Sequence, residues 1–158
     1  MYDPVRDVIG MIDFGAAKAF RKEFTDAYGD LVLACANGDG PQIIKHSVDL
    51  GFLTGDESKA LLDAHVAAGM VVGRPFAFDG FYDFGDNSTM TRELVSLGSN
   101  MVHNRLTSPP PEAYALHRRL SGAFLVAMKL KARVPCRELL LEQLSKDSHE
   151  SIPKIYAQ

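Results

Sequence analysis

The sequence predicts a mainly α-helical chain: a short strand or β-hairpin followed by about six helices. Three observations carry that expectation. Only one apolar run near the start, Val8-Ile9-Gly10-Met11-Ile12, is short and strand-like. From about Arg21 onward, apolar residues recur at three- and four-residue spacing, which places them on one face of a helix. Gly, Pro and Thr/Asp/Glu clusters separate those stretches as helix stops and starts.

Residues Val5 to Phe20 form the strand-rich part. Tyr2-Asp3-Pro4 in front of it is turn chemistry, and the run leads into Asp13-Phe14-Gly15. In the first helix Phe24, Tyr28, Leu31, Val32 and Cys35 share a face. Asn37-Gly38-Asp39-Gly40 ends it, because glycine accepts the left-handed turn. Pro41 suits the first turn of the next helix, which extends to about Leu50. Thr54-Gly55-Asp56-Glu57 reads as a capping box, with a helix to about Val72 that turns Ala60, Leu61, Ala64, Ala68 and Val71 inward. Gly73 to Asn87 reads as a loop, with five aromatic residues between Phe76 and Phe84 that are expected to pack down. A helix from about Thr89 to Arg105 follows, with Leu94, Leu97, Met101 and Val102 inward. Ser108-Pro109-Pro110-Pro111-Glu112 makes a stiff turn into a helix through Leu116, Leu120, Phe124 and Met128 to about Ala132. Pro135 opens a last helix to about Leu144, and Ser145 to Gln158 is a polar tail.

Composition limits the function classes. The 158 residues, 46% hydrophobic and 23% charged, make one ordinary domain or one lobe of something larger. A net charge of −3 argues against a nucleic-acid binder. Two cysteines, Cys35 and Cys136, cannot staple a disulfide scaffold. No apolar run nears the roughly 20 residues of a membrane helix, and the early Asp3, Asp7 and Asp13 fit neither a signal nor a transit peptide.

The Asp-Phe-Gly tripeptide occurs twice, at Asp13 and at Asp83. A kinase-type metal-binding aspartate sits where an apolar strand ends, with its carboxylate held against the metal on the nucleotide phosphates. Asp13 has that context, which leaves two readings for it: metal ligand or ordinary turn aspartate. Asp83 follows Gly80-Phe81-Tyr82 and precedes a helix, so it reads as a loop end or cap. Phosphate loops of the Gly-x-x-x-x-Gly-Lys and Gly-x-Gly-x-x-Gly types are absent. His65 reads as a satisfied, partly buried histidine and His117-Arg118-Arg119 as a solvated helix face. No catalytic nucleophile or metal spacing is evident among the five histidines and two cysteines.

Ordered blocks run through the chain: Ile12-Asp13-Phe14-Gly15-Ala16, Phe24-Thr25-Asp26 with Tyr28, Gly51-Phe52-Leu53-Thr54-Gly55, Asp63-Ala64-His65-Val66 and Gly73-Arg74-Pro75-Phe76-Ala77. Tyr82-Asp83-Phe84-Gly85, His103-Asn104-Arg105-Leu106, Pro109-Pro110-Pro111-Glu112, Tyr114-Ala115-Leu116-His117-Arg118 and Lys129-Leu130-Lys131-Ala132 with Pro135-Cys136-Arg137 follow. Together they resemble the C-terminal part of the AarF-domain atypical kinases, and within that UbiB/ADCK family the coenzyme Q-biosynthesis branch.

The resemblance implies the C-terminal lobe of a protein-kinase-like fold over residues 1–144, with 145–158 a polar tail outside the family pattern. Asp13 would be the cofactor-binding and metal residue, holding magnesium on ATP, and Asp83 would have no metal role. The family implies ATP binding and hydrolysis, support of ubiquinone biosynthesis, and a place on the matrix side of the mitochondrial inner membrane. Ubiquinone-biosynthesis proteins and inner-membrane lipid would be its partners. The family's nucleotide-contacting lysine and catalytic-loop Asp and Asn precede the Asp-Phe-Gly and are not in these 158 residues. These residues alone are therefore expected neither to bind ATP tightly nor to turn it over, since phosphoryl transfer needs several positioned groups at once. The alternative is a non-catalytic helical binding module derived from that lobe.

Overall fold

The structure is a computed structural model that describes residues 2–10, 19–85, 89–104 and 106–147. It is mainly α. Strands β1 (Tyr2–Asp3) and β2 (Val8–Ile9) precede helices α1 (Lys22–Asn37), α2 (Gly40–Asp49) and α3 (Lys59–Gly73). A 3₁₀ turn (Arg74–Phe76) then leads to β3 (Tyr82–Asp83), α4 (Met90–Asn104), α5 (Pro111–Lys129), β4 (Arg133–Val134) and α6 (Cys136–Asp147).

The first hairpin pairs Tyr2 with Ile9 and Asp3 with Val8. Tyr2 and Asp3 are therefore strand residues, and the turn sits after them. Asp3 closes it by accepting from the amides of Val5 at 2.9 Å and Arg6 at 3.2 Å. Val5, Val8 and Ile9 are all exposed, so the hairpin stands off the core.

Helix α1 buries the face the periodicity predicts, with Leu31 and Cys35 in the core and Phe24 and Tyr28 packed against it. Gly38 ends it at φ 67°, and its amide and that of Asp39 cap the carbonyls of Cys35 and Ala34. Asp39 then caps α2 by accepting from the Gln42 amide at 3.2 Å. Ile43 and Ser47 form the fully buried face of α2.

Glu57 reaches back to Thr54 as the box predicts, but one turn ahead of the helix, and the Thr54 hydroxyl accepts from the Asp56 amide at 3.2 Å. The Glu57 carboxylate accepts from the Thr54 amide (2.7 Å), the Thr54 hydroxyl (2.9 Å) and the Gly55 amide (2.9 Å). It closes a loop, while Ser58 caps α3 by accepting from the Leu61 amide. Leu61 and Val71 of α3 are buried as expected, whereas Ala60 is exposed.

The segment read as a loop from Gly73 to Asn87 carries structure: the 3₁₀ turn and β3, which pairs antiparallel with β4 (Tyr82 with Val134, Asp83 with Arg133). Lys131 makes the return possible at φ 48°, a left-handed conformation that costs a non-glycine residue about 1 kcal/mol. Two of the five aromatics stay outside: Phe78 and Phe81 are exposed, while Tyr82 and Phe84 are core. Helix α5 stops at Lys129, and α6 continues past Leu144 to Asp147. Of the tail, 148–158 lie outside the described residues, as do the side chains of Met101 and Val102.

Two apolar clusters result. One gathers Leu31, Ala34, Cys35, Ile43, Leu50, Phe52 and Ala113. The other gathers Val71, Tyr82, Phe84, Met90, Phe124 and Cys136. Each fully buried large side chain contributes about 1.5–3 kcal/mol. Helix α3 joins the two, with Val66 on the first and Val71 and Val72 on the second. Its end lies directly on α1: a Cβ at Gly73 would stand 2.4 Å from the Cys35 carbonyl carbon, and one at Gly69 would stand 3.0 Å from Cys35 Sγ.

Two outcomes follow from this packing. Gly73→Ala forces α1 and α3 apart and lowers stability by about 2 kcal/mol or more in urea unfolding, whereas Gly122→Ala in α5, where a Cβ meets nothing within 4 Å, raises it by about 0.5–1 kcal/mol. Burial pushes the Glu57 carboxyl up, but the bonds from Thr54 and Gly55 outweigh it and hold the group below its ordinary 4.5. The stability it adds is then full above the unfolded value and is lost as pH falls through the lower folded one. Glu57→Gln is accordingly destabilising at neutral pH, and its gap to wild type narrows as pH falls through the lowered folded value, as denaturation at several pH values reads out.

Candidate functional site

Asp13, the residue singled out for metal and nucleotide, lies with Phe14 and Gly15 outside the described residues. What the structure gives is the chain on either side. Before it stands the β1–β2 hairpin. After it, Phe20 stacks on Phe24 with ring centres 5.8 Å apart, and the Arg119 guanidinium of α5 lies 5.4 Å over the Phe20 ring. The chain leaving the tripeptide is thus held to α1 and α5. His117, Arg118 and Arg119 are all exposed, as the solvated-face reading expects, and the His117 ring also stacks 5.3 Å from Phe52 and 5.9 Å from Tyr28.

The second tripeptide is fully described. Asp83 accepts from the Gly85 amide at 2.8 Å, and its other carboxylate oxygen is 3.8 Å from Arg133 Nε. Phe84 is core, edge-on to Tyr82 at 4.8 Å and 5.6 Å from Phe124. A Cβ at Gly85 would press on Asp83 and Lys131 at 3.1 Å. Each residue is occupied by a turn, a core contact or a close approach, in keeping with the sequence reading.

Behind it lies a polar clamp the sequence did not signal. Arg74 meets Glu93 with two bonds, 3.3 and 2.6 Å, and Thr89 donates to the same carboxylate at 2.9 Å. The Arg74 bond, helped by Thr89, holds the Glu93 carboxyl below its usual range. The clamp ties the 3₁₀ turn to α4 beside the Tyr82 hydroxyl, which is buried with no hydrogen-bond partner among the described residues. Burial raises the Tyr82 phenol, with Arg74 opposing.

On the opposite side of α3, the ring of the partly buried His65 sits 2.8 Å, through Nε2, from the fully buried Ser47 hydroxyl. Next to it a cavity of about 220 Å³ opens between α1, α2 and α3, with Phe52 and His117 among its lining residues. Neither the pair nor the cavity has a sequence signature, because their members come from distant elements. Among the described residues no group of three or more His, Cys, Asp or Glu side chains is placed to hold a metal, and no helix is long and apolar enough to cross a membrane.

No protein-family model matches the chain. Curated relatives do. The mitochondrial atypical kinase COQ8B of Rattus norvegicus is 48% identical over 139 residues, which is 88% of this chain and 26% of that protein. The chain belongs to the AarF-domain (UbiB/ADCK) family of atypical kinases. The mitochondrial atypical kinase coq-8 of Caenorhabditis elegans is 43% identical over 84% of the chain and 17% of its own length. The mitochondrial atypical kinase COQ8 of Saccharomyces cerevisiae is 36% identical over 90% of the chain and 28% of its own length. This AarF-family chain therefore spans about a quarter of the relatives it matches, and its mainly α build fits a kinase-like C-lobe.

The two copies of the tripeptide separate experimentally. Asp83→Ala loses the Gly85 bond and the Arg133 contact, and it costs about 1 kcal/mol in thermal or urea unfolding.

Proposed function

We propose that these residues are the helical lobe of an ATP-dependent, kinase-like mitochondrial protein that supports coenzyme Q biosynthesis. The observation that carries the reading is the kinship to proteins named atypical kinases over nearly the whole chain, with Asp13 at the end of its apolar run. In this reading Asp13 is the cofactor-binding and metal residue. Magnesium, when bound, neutralises charge on the ATP phosphates. Among the described residues no group of three or more His, Cys, Asp or Glu side chains is placed to hold that ion, and this reading assigns the metal role to Asp13. Phe20, Phe24 and Arg119 set where the chain leaves it.

The lysine and the catalytic-loop Asp and Asn of the family are not among these residues, so in this reading the lobe by itself does not turn ATP over. The relatives' names place them in mitochondria, and we extend that to this protein, with ubiquinone-biosynthesis proteins and matrix-side inner-membrane lipid as partners. A second reading, a non-catalytic helical binding module, is favoured by the exposure of Phe78 and Phe81 on the aromatic segment.

The test introduces Asp13→Ala at the genomic locus and purifies the endogenous polypeptide through an antibody to α1–α3. Magnesium-dependent ATP hydrolysis falls by roughly a hundredfold or more while the melting temperature stays unchanged. Hydrolysis within a few-fold of wild type would overturn the Asp13 role. No hydrolysis in the wild type would favour the binding module.

A further inference from the structure

We infer that the cavity between α1, α2 and α3 is a binding site for a small uncharged ring compound bearing one hydrogen-bonding group. Size comes first. At about 220 Å³ it exceeds the ~150 Å³ in which an apolar cavity takes up benzene and stays dry. It admits a second ring or a short substituent.

The walls are apolar and fixed. Leu31, Val32, Ile43, Ala68 and Val72 line it. The helices cannot close further on it, because Gly69 and Gly73 already bring α3 against Cys35. The rim is aromatic: His117 lies over Phe52 at 5.3 Å with an interplanar angle of 21°, and beside Tyr28 at 5.9 Å. Such flat walls favour a ring over a branched chain.

The polar groups are few, which fits a ligand pocket whose orientation is set by one or two contacts. They are the Tyr28 hydroxyl, the Cys35 thiol and the imidazoles of His65 and His117. No Asp, Glu, Lys or Arg lines the cavity among the described residues. Burial pushes the Tyr28 phenol up to about 12 and the Cys35 thiol up to about 11, so both stay neutral. His65 shares a hydrogen bond with the buried Ser47 hydroxyl. With no Asp or Glu to meet an ammonium and no Lys or Arg to meet a carboxylate in the lining, burial of a charged ligand is costly and the site favours neutral ones.

The test uses the 158-residue protein with indole as the neutral probe and benzoate as a charged ring of similar size. Indole shifts the methyl resonances of Ile43, Ala68 and Val72 saturably, and benzoate does not. Ala68→Leu, which fills the wall, weakens indole binding by roughly tenfold or more while the circular dichroism spectrum and melting temperature show it folded. Val72→Phe does the same if Ala68→Leu fails to fold. Absence of a saturable shift, equal uptake of benzoate, or indole binding unchanged in a folded filled variant would each overturn the inference. The comparison of indole with benzoate on the wild type needs no variant.

Discussion

The contact between the last turn of α3 and the backbone of Cys35 is the constraint on which the rest of the structure depends. Gly73 leaves no room for a side chain there, so two helix backbones touch without side chains between them. That approach sets the axis along which α3 serves both apolar clusters. Gly69, Gly73 and Cys35 also line the cavity. The same approach aims the chain into the 3₁₀ turn, where the Phe76 carbonyl accepts from Arg137 at 2.9 Å and so docks α6. A backbone contact cannot relax by changing a rotamer, which makes it a rigid reference for everything built around it.

Two identical tripeptides in one chain show how little three letters decide. At Asp83 the carboxylate is used by a turn amide and faces Arg133, the phenylalanine is core and the glycine is pressed by Lys131. That carboxylate serves a turn. At Asp13 the preceding apolar run and the kinship to atypical kinases point to different chemistry. What separates the two is the strand and turn context, which sequence does convey, and the neighbours across the fold, which it does not.

The legible parts of the fold were those governed by local chemistry. The face of α1, the left-handed stop at Gly38 and the proline starts of α2 and α5 are written in spacing and residue type. The family itself was legible from ordered blocks. The β3–β4 pair was not, because two-residue strands carry no alternation and their partners lie some fifty positions apart. The Thr54–Glu57 pair was recognised but misplaced: a Glu that reaches back to a Thr amide can cap a helix or close a loop, and Ser58 takes the cap. Arg74–Glu93, Ser47–His65 and the cavity are tertiary juxtapositions of ordinary residues. No local pattern announces them.

The central claim is that this lobe offers one metal ligand to a nucleotide site that several groups must complete. Calorimetric titration of the 158-residue protein with magnesium-ATP tests it most directly. The account predicts no saturable heat below about 1 mM nucleotide. Micromolar binding of magnesium-ATP that persists in Asp13→Ala would contradict it, because the lobe would then hold the nucleotide by itself and without that carboxylate.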